Sequence, residues 1–447
     1  MPVSVSVPVP VRVRVRVGVR VRWCWAGVGA PAGAGRVPLR PPVPPQRHDC
    51  PQLGGLAGTT VRSWGGLAGT TVRSWGGGGL AGTTVRSWGA LAGATDPAGG
   101  RGGWQEGVCH TGLRFRLGGG EPIVRVMFAV YAARIDRDQP LAGLELGELP
   151  APEARPGWSV VDVRAASLNH HDLWSLRGVG LPEDRLPMIL GCDAAGIDAD
   201  GNEVVLHSVI GQTGHGVGPK EPRSILTERY PGTFAEQVAV PTWNILPKPK
   251  ELSFEEAACL PTAWLTAYRM LFTNAGVRPG DSVLVQGAGG GVATAAIVLG
   301  KAAGLRVFAT SRDEAKRKRA LELGAVEAVE SGARLPQRVD AVIETVGAAT
   351  WSHSIKSLRP GGTLVISGAT SGDRPSHAEL TRIFFLELKV VGSTMGSKDE
   401  LEDLLSFCAA TGVRPVIDEV LPMDRARDGF ERMASGGQFG KIVLSNS

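Results

Sequence analysis

The chain has 447 residues, 43% hydrophobic and 20% charged, with 62 glycines, 31 prolines and a net charge of +5. That length admits two or three domains, and no apolar run reaches the roughly 18 residues a membrane span needs. The net positive balance is confined to the start. Residues 1–126 hold 15 arginines, no lysine and four acidic residues, a net +11, so residues 127–447 carry −6. The basic balance is therefore no argument that the folded part binds nucleic acid.

The first 126 residues do not read as a domain. Valine occupies every odd position from 3 to 21, and LAGTTVRSWG occurs three times, from Leu56, Leu67 and Leu80. A proline-rich run (Pro38–Pro45) precedes the repeats and a glycine-rich run (Gly99–Gly103) follows them. Such composition buries too little apolar area to offset its ordering entropy, so a disordered low-complexity leader is expected. Three readings compete for it: translated upstream sequence with the start at Met127, a disordered basic arm, and a targeting segment. The first is preferred, because a clean strand pattern begins at Met127 (MFAVYA). Three of six cysteines (Cys24, Cys50, Cys109) fall in the leader. The others (Cys192, Cys259, Cys408) are far apart with no CxxC, which suits a reducing cytoplasm better than a disulfide framework.

Residues 127–252 are rich in short strands, glycine and proline. Trp158–Ala165, Asn202–His207 and Phe234–Val240 have strand length and pattern, which suggests a compact β-barrel-like domain. Its polar segments are ASLNHHDLWSLRG (166–178), LGCDAAG (190–196) and GTFAEQVAVP (232–241).

From Ser253 strands and helices alternate. Ser253 and Glu256 form a capping box. A strand at Ser282–Val285 runs into a glycine-rich turn and a helix over Val292–Ala303. A strand at Leu305–Thr310 and a helix at Asp313–Leu323, closed by Gly324, come next. Strands at Ala328, Ala341–Thr345 and Thr363–Ser367 and a helix at Trp351–Leu358 complete the pattern. Alternation of this kind predicts an α/β fold with a doubly wound parallel sheet. Its ligand belongs at the carboxyl ends of the strands. Gly287, Ala288, Gly290, Gly291 and Val292 are the expected pyrophosphate cradle, at a helix N-terminus. An NAD site usually has an acid at the end of the second strand. Here Ser311, Arg312 and Lys316 suit a 2′-phosphate and predict NADPH. Gly347 and Gly368 would leave room for the nicotinamide half. After Gly392, a helix, a strand (Val413–Leu421), a helix (Met423–Ala434) and a strand (Gly440–Leu444) should pack back onto the first domain.

Taken together, N-x-x-D at Asn169–Asp172, G-x-D-x-x-G at Gly191–Gly196, LPTAWLTAY at Leu260–Tyr268, VQGAGGGVA at Val285–Ala293 and the FGKIVL ending at Phe439–Leu444 resemble the medium-chain dehydrogenase/reductase superfamily. The resemblance covers essentially all of residues 127–447. It implies a GroES-like catalytic domain (127–252), a Rossmann NADP-binding domain (253–391) and a return to the catalytic domain (392–447), with the active site between them. Zinc-dependent members have cysteine, histidine and cysteine where this chain has Asn169, Cys192 and Thr262. Only Cys192 and Asp193 remain as plausible ligands at those positions, too few for a catalytic zinc, with His170, His171, His207 and His215 as the substitutes the sequence offers.

The resemblance then points to the metal-free branch, which reduces quinones or α,β-unsaturated carbonyls with NADPH. Asn169 and Thr262 are expected to donate hydrogen bonds near the developing oxygen. Asp172 is expected to hold the cleft or bond the ribose or another loop, and Thr266 to contact the cofactor. Tyr268 reads more readily as core than as a proton donor. A zinc-type alcohol dehydrogenase with atypical ligands and a non-catalytic NADPH-binding regulatory protein stand as alternatives. The resemblance also implies a homodimer through Rossmann edge strands around Phe384–Val391, and a small-molecule substrate rather than a nucleic acid or a membrane.

Overall fold

The structure, a computed structural model, describes residues 124–211 and 223–446, together with the backbone of two short strands, Gln105–Val108 and Arg114–Leu117. Most of the expected leader, and His215, lie outside the described residues. The strand expected from Met127 begins at Val124 and runs to Ala132, with Val126 and Met127 both buried. It pairs with Leu144–Pro150, Met188–Ile189 and Arg114–Leu117. The boundary expected after residue 126 thus falls inside a strand, because the apolar alternation continues upstream through Val124 and Val126.

The strand Trp158–Ser167 organises the first domain. Its antiparallel neighbours are Asp193–Ile197, Gln237–Pro241 and Lys441–Ser445. The last of these also pairs in parallel with Ile417–Pro422, so the end of the chain is a structural part of this sheet. Val161, Val163, Leu176, Phe234 and Phe430 fill the core beneath it, with Phe234 and Phe430 edge to face at 6.1 Å. Two expected strands are shorter than their patterns. Residues 234–236 serve as a crossing loop instead, where Phe234 N–H donates to the Leu190 carbonyl. The strand expected from Val413 starts at Ile417, because Pro415 has no amide to offer a ladder.

The second domain is a six-stranded parallel sheet in the order Glu327–Val329, Arg306–Thr310, Ser282–Val285, Val339–Glu344, Leu358–Ile366, Lys389–Gly392. Alternate residues serve opposite faces. Val283, Val285, Val307 and Ala309 belong to one apolar cluster, and Leu284, Phe308, Val342 and Leu364 to another. That two-sided burial explains why these strands read as near-continuous apolar runs. The expected helices form at Gly291–Ala302, Glu314–Leu323 and Trp351–Ser357. Asp313 caps the second and Gly324, at φ 117°, closes it. Ser253 and Glu256 make the expected reciprocal cap. The helical run they open widens into π-turns at Leu260–Trp264 and Arg269–Ala275. Such widened turns often mark functional positions, and the first carries Thr262. Among the described residues no helix is long and apolar enough to cross a membrane.

Candidate active site

The strand Ser282–Val285 ends in the glycine turn, which is held from below by a buried polar chain. Gly287 N–H donates to Thr310 Oγ1 at 3.2 Å and Thr310 Oγ1 donates to Gln286 Oε1 at 2.7 Å. Gln286 Nε2 donates to Ser354 Oγ at 2.9 Å, and Ser354 donates to Glu344 Oε2 at 2.6 Å. Glu344 is fully buried and also accepts from Val346 N–H, Gly347 N–H and Thr350 Oγ1. These bonds join the carboxyl ends of three adjacent strands. Gly287 sits at φ 75°, where an added Cβ would lie 2.8 Å from Val346 Cγ2, so glycine is required there.

Above the turn runs a groove of about 1160 Å3, lined by Gly287, Ala288, Gly290, Ser311, Arg312 and Lys316 among others. The cations at its outer end differ in status. Lys316 Nζ donates to the Gly436 and Gln438 carbonyls at 2.7 and 2.9 Å, and its stem lies over Gly289. Arg312 is exposed, and among the described residues its guanidinium has no hydrogen bond or ion pair. The C-terminal segment closes over the turn through a bond from Gly440 N–H to the Gly289 carbonyl at 2.8 Å.

The groove continues into a cleft of about 290 Å3 lined by Asn169, His170, Thr262, Thr266, Val292 and Lys441, with Met395 and Met433 on its apolar side. Gln438 borders both cavities, and its Oε1 is buried without a partner. Gly291 forms part of the floor, where an added Cβ would lie 2.8 Å from Lys441 Cδ and 3.1 Å from Ala263 Cβ. Gly347 and Gly368 follow the next two strand ends, and Gly368 lies against the Thr345 carbonyl. Tyr268 does not line the cleft. It packs edge-on against Phe272 at 4.9 Å, and burial raises its hydroxyl pKa.

Asn169 caps the helix His170–Leu176, and its backbone N–H donates to Asp172 Oδ2 at 2.8 Å. Asp172 also accepts from Gly191 N–H at 3.2 Å, so it ties two loops together from beneath the cleft. Its complete burial pushes its pKa up to about 7. The Asn169 side chain donates to Asp193 Oδ2 at 2.8 Å and accepts from Lys441 Nζ at 2.6 Å. Lys441, only 2% exposed, also donates to the Leu168 carbonyl at 2.7 Å and lies 3.4 Å from Asp193 Oδ2. Ser167 and Ser208 donate to Asp193 as well, and Ser208 Oγ stands 3.3 Å from Thr262 Oγ1. His170, at the cleft wall, has its pKa lowered by burial and by the cations of Lys441 and Arg177. Burial holds the Cys192 thiol well above its usual pKa, with its sulfur on the Leu226 carbonyl.

Two members of this cluster, Lys441 and Ser208, were missed by sequence reasoning. The available signal was a lysine inside the apolar FGKIVL run, since a buried charge there requires partners. Among the described residues no three His, Cys, Asp or Glu side chains converge as a metal-ligand set.

With this geometry in place, similarity to known proteins is informative. The profile of the alcohol dehydrogenase GroES-like domain matches residues 155–250, and that of the zinc-binding dehydrogenases matches residues 291–410. A zinc-type alcohol dehydrogenase-like protein of Schizosaccharomyces pombe is 31% identical, over 65% of this chain and 91% of its own. An acryloyl-coenzyme A reductase of Sulfurisphaera tokodaii is 28% identical, over 68% of this chain and 97% of its own. Among solved structures, an NAD-dependent alcohol dehydrogenase is 37% identical with a TM-score of 0.65, covering 72% of this chain and all of that one.

Proposed function

The chain belongs to the medium-chain dehydrogenase/reductase superfamily, and from that premise we propose that it is an NADPH-dependent reductase of α,β-unsaturated carbonyls or quinones that works without a catalytic metal. At the coarser level it is an oxidoreductase that pairs a nicotinamide cofactor with a small-molecule substrate. When bound, the nicotinamide supplies a hydride to the electrophilic carbon of the acceptor. The observation that carries the metal-free reading is the ammonium of Lys441, which occupies the donor atoms of Asn169 and Asp193. A divalent ion does not fit this donor set. Asn169 Oδ1 is engaged by the ammonium, Asp193 Oδ2 accepts from Ser167, Asn169 and Lys441, and the Cys192 thiol is held protonated by burial.

In this reading the floor at Gly290 and Gly291 admits the diphosphate at a helix N-terminus. Gln438 would offer its unpartnered acceptor to a ribose hydroxyl, and Thr266 and Val292 would hold the nicotinamide half in the cleft. Arg312 would meet the 2′-phosphate, while Lys316 holds the C-terminal segment over the turn. Asp172 acts on the cleft through the two loops it joins. The acryloyl-coenzyme A reductase name of one relative favours an enone-type acceptor, and the NAD-dependent name of the solved relative favours the other cofactor. The purified full chain, offered NADPH or NADH with enones, quinones and simple alcohols, separates these readings. Chelator-insensitive oxidation of NADPH by enones or quinones is expected. Alcohol oxidation lost on chelation would overturn the metal-free reading, and tight NADPH binding without turnover would favour a binding module.

The same reading includes a homodimer. Leu380, Phe384 and Phe385 are 69%, 66% and 76% exposed beside the edge strand Lys389–Gly392, an apolar patch next to unpaired ladder groups. Phe385→Asp is expected to convert a dimer into a monomer in sedimentation, and an unchanged mass would remove this face from the interface.

A further inference from the structure

The polar groups of the cluster around Asp193 are mostly satisfied by one another. Lys441 Nζ can only donate, so the atom of Asn169 that faces it at 2.6 Å is the carbonyl Oδ1. The amide nitrogen of Asn169 therefore points the other way, and its hydrogens go to Asp193 Oδ2 at 2.8 Å and the Ser167 carbonyl at 3.3 Å. Neither hydrogen remains for a substrate. Ser208 has one hydroxyl hydrogen and gives it to Asp193 Oδ1 at 3.3 Å. The contact between Ser208 and Thr262 at 3.3 Å then requires Thr262 to donate. Thr262 faces the cleft with lone pairs only.

Lys441 remains. Two of its three N–H groups are well used, at 2.6 Å on Asn169 and 2.7 Å on Leu168. The third reaches only the 3.4 Å contact with Asp193 Oδ2, an oxygen that already accepts from Ser167 at 2.9 Å and Asn169 at 2.8 Å. Lys441 is among the residues lining the cleft, and its stem lies against Gly291 beside the glycine turn.

Resting on the reductase reading above, we propose that Lys441 is a catalytic residue, whose third N–H turns from Asp193 to the substrate oxygen and stabilises the negative charge that forms there. In an enone, a C–H bond forms at the β-carbon, the C=C π bond breaks, and the electron pair ends on oxygen as an enolate. The hydride donor loses two electrons and the enone gains them. A solvent proton adds at the α-carbon, and Lys441 keeps its own proton throughout. A preorganised, buried cation favours this charge without reorganising at the moment of reaction. Asn169 is then a positioning residue, which aims the ammonium and shares Asp193 with it.

The test compares the full-length wild-type chain with Lys441→Met. The first readout is optical and needs no turnover. With oxidised cofactor bound, 4-nitrophenol in the cleft should shift towards its ionised spectrum in the wild type and not in the variant. The second is single-turnover hydride transfer to an enone, expected to fall about 100- to 1000-fold with cofactor affinity held within about threefold. If Lys441→Met does not bind cofactor, Lys441→Met/Asp193→Asn, which removes both buried charges, takes its place with the same expectation. No optical shift in the wild type, an equal shift in the variant, or hydride transfer unchanged by the substitution overturns the assignment. A wild type that shifts 4-nitrophenol where the variant does not, yet reduces neither enone nor quinone, supports the role of Lys441 and overturns the reductase reading instead.

Discussion

Gly290→Asp is expected to weaken nicotinamide-cofactor binding by at least about 100-fold, close to 3 kcal/mol, while leaving the thermal midpoint almost unmoved. Gly290 stands at the N-cap of the helix Gly291–Ala302 with ordinary extended backbone, φ −76° and ψ 164°. No protein atom lies within 4 Å of an added Cβ, so the fold has room for a side chain. Aspartate is also a better N-cap than glycine, which works in favour of the helix. The open space belongs to the groove, however, and a carboxylate there would stand in the proposed diphosphate site. Attraction by the helix N-terminus becomes repulsion of one anion by another. Titration of cofactor fluorescence beside a melting curve checks both halves. Unchanged affinity would mean that the diphosphate does not lie at this turn. Gly291 offers a contrast, because there a side chain would collide with Lys441 and Ala263, and fold and binding should suffer together.

Arg312→Asp should reverse the cofactor preference, lowering NADPH affinity by about 10- to 100-fold, the range of a charge-assisted hydrogen bond, and raising that for NADH. Arg312 follows Ser311 at the end of the second strand of the sheet, in the position from which a side chain meets the adenosine ribose. Its guanidinium has no protein partner among the described residues, so no existing bond must break before it binds a phosphate. Lys316 differs, because two carbonyls hold its ammonium. Lys316→Ala should therefore weaken both cofactors alike by loosening the C-terminal segment. Dissociation constants for the two cofactors across wild type, Arg312→Asp and Lys316→Ala check this. A preference untouched by Arg312→Asp would remove the 2′-phosphate from this corner.

The Rossmann half was legible almost residue by residue. Its strands are buried on both faces and so read as short apolar runs, and its helices carry local caps such as Ser253, Asp313 and Gly324. Local signals suffice where the stabilising contacts are local. The first domain was less legible. Phe234 has strand character yet serves a loop, because its burial against Phe430 depends on a segment far along the chain. The candidate site shows the same limit. The motifs pointed to Asn169 and Thr262 as polar residues of the cleft, but which way their hydrogens point depends on Lys441, Ser208 and Asp193. Those residues come from distant parts of the sequence, and only the assembled sheet brings them together.

The bond between Lys441 and Asn169 spans 272 positions. The parallel sheet can complete itself from residues 282–392, but the wall of the cleft cannot exist until the final strand has slotted in beside Trp158–Ser167. Non-local pairing of this kind is slow to form, so the chain acquires its scaffold early and its chemistry late. Until the last strand docks, the charge of Asp193 has no lysine beside it, and the groove over the glycine turn has no cover from residues 436–440. Competence for the proposed reaction thus waits on the docking of Lys441–Ser445 rather than on the folding of the nucleotide-binding sheet.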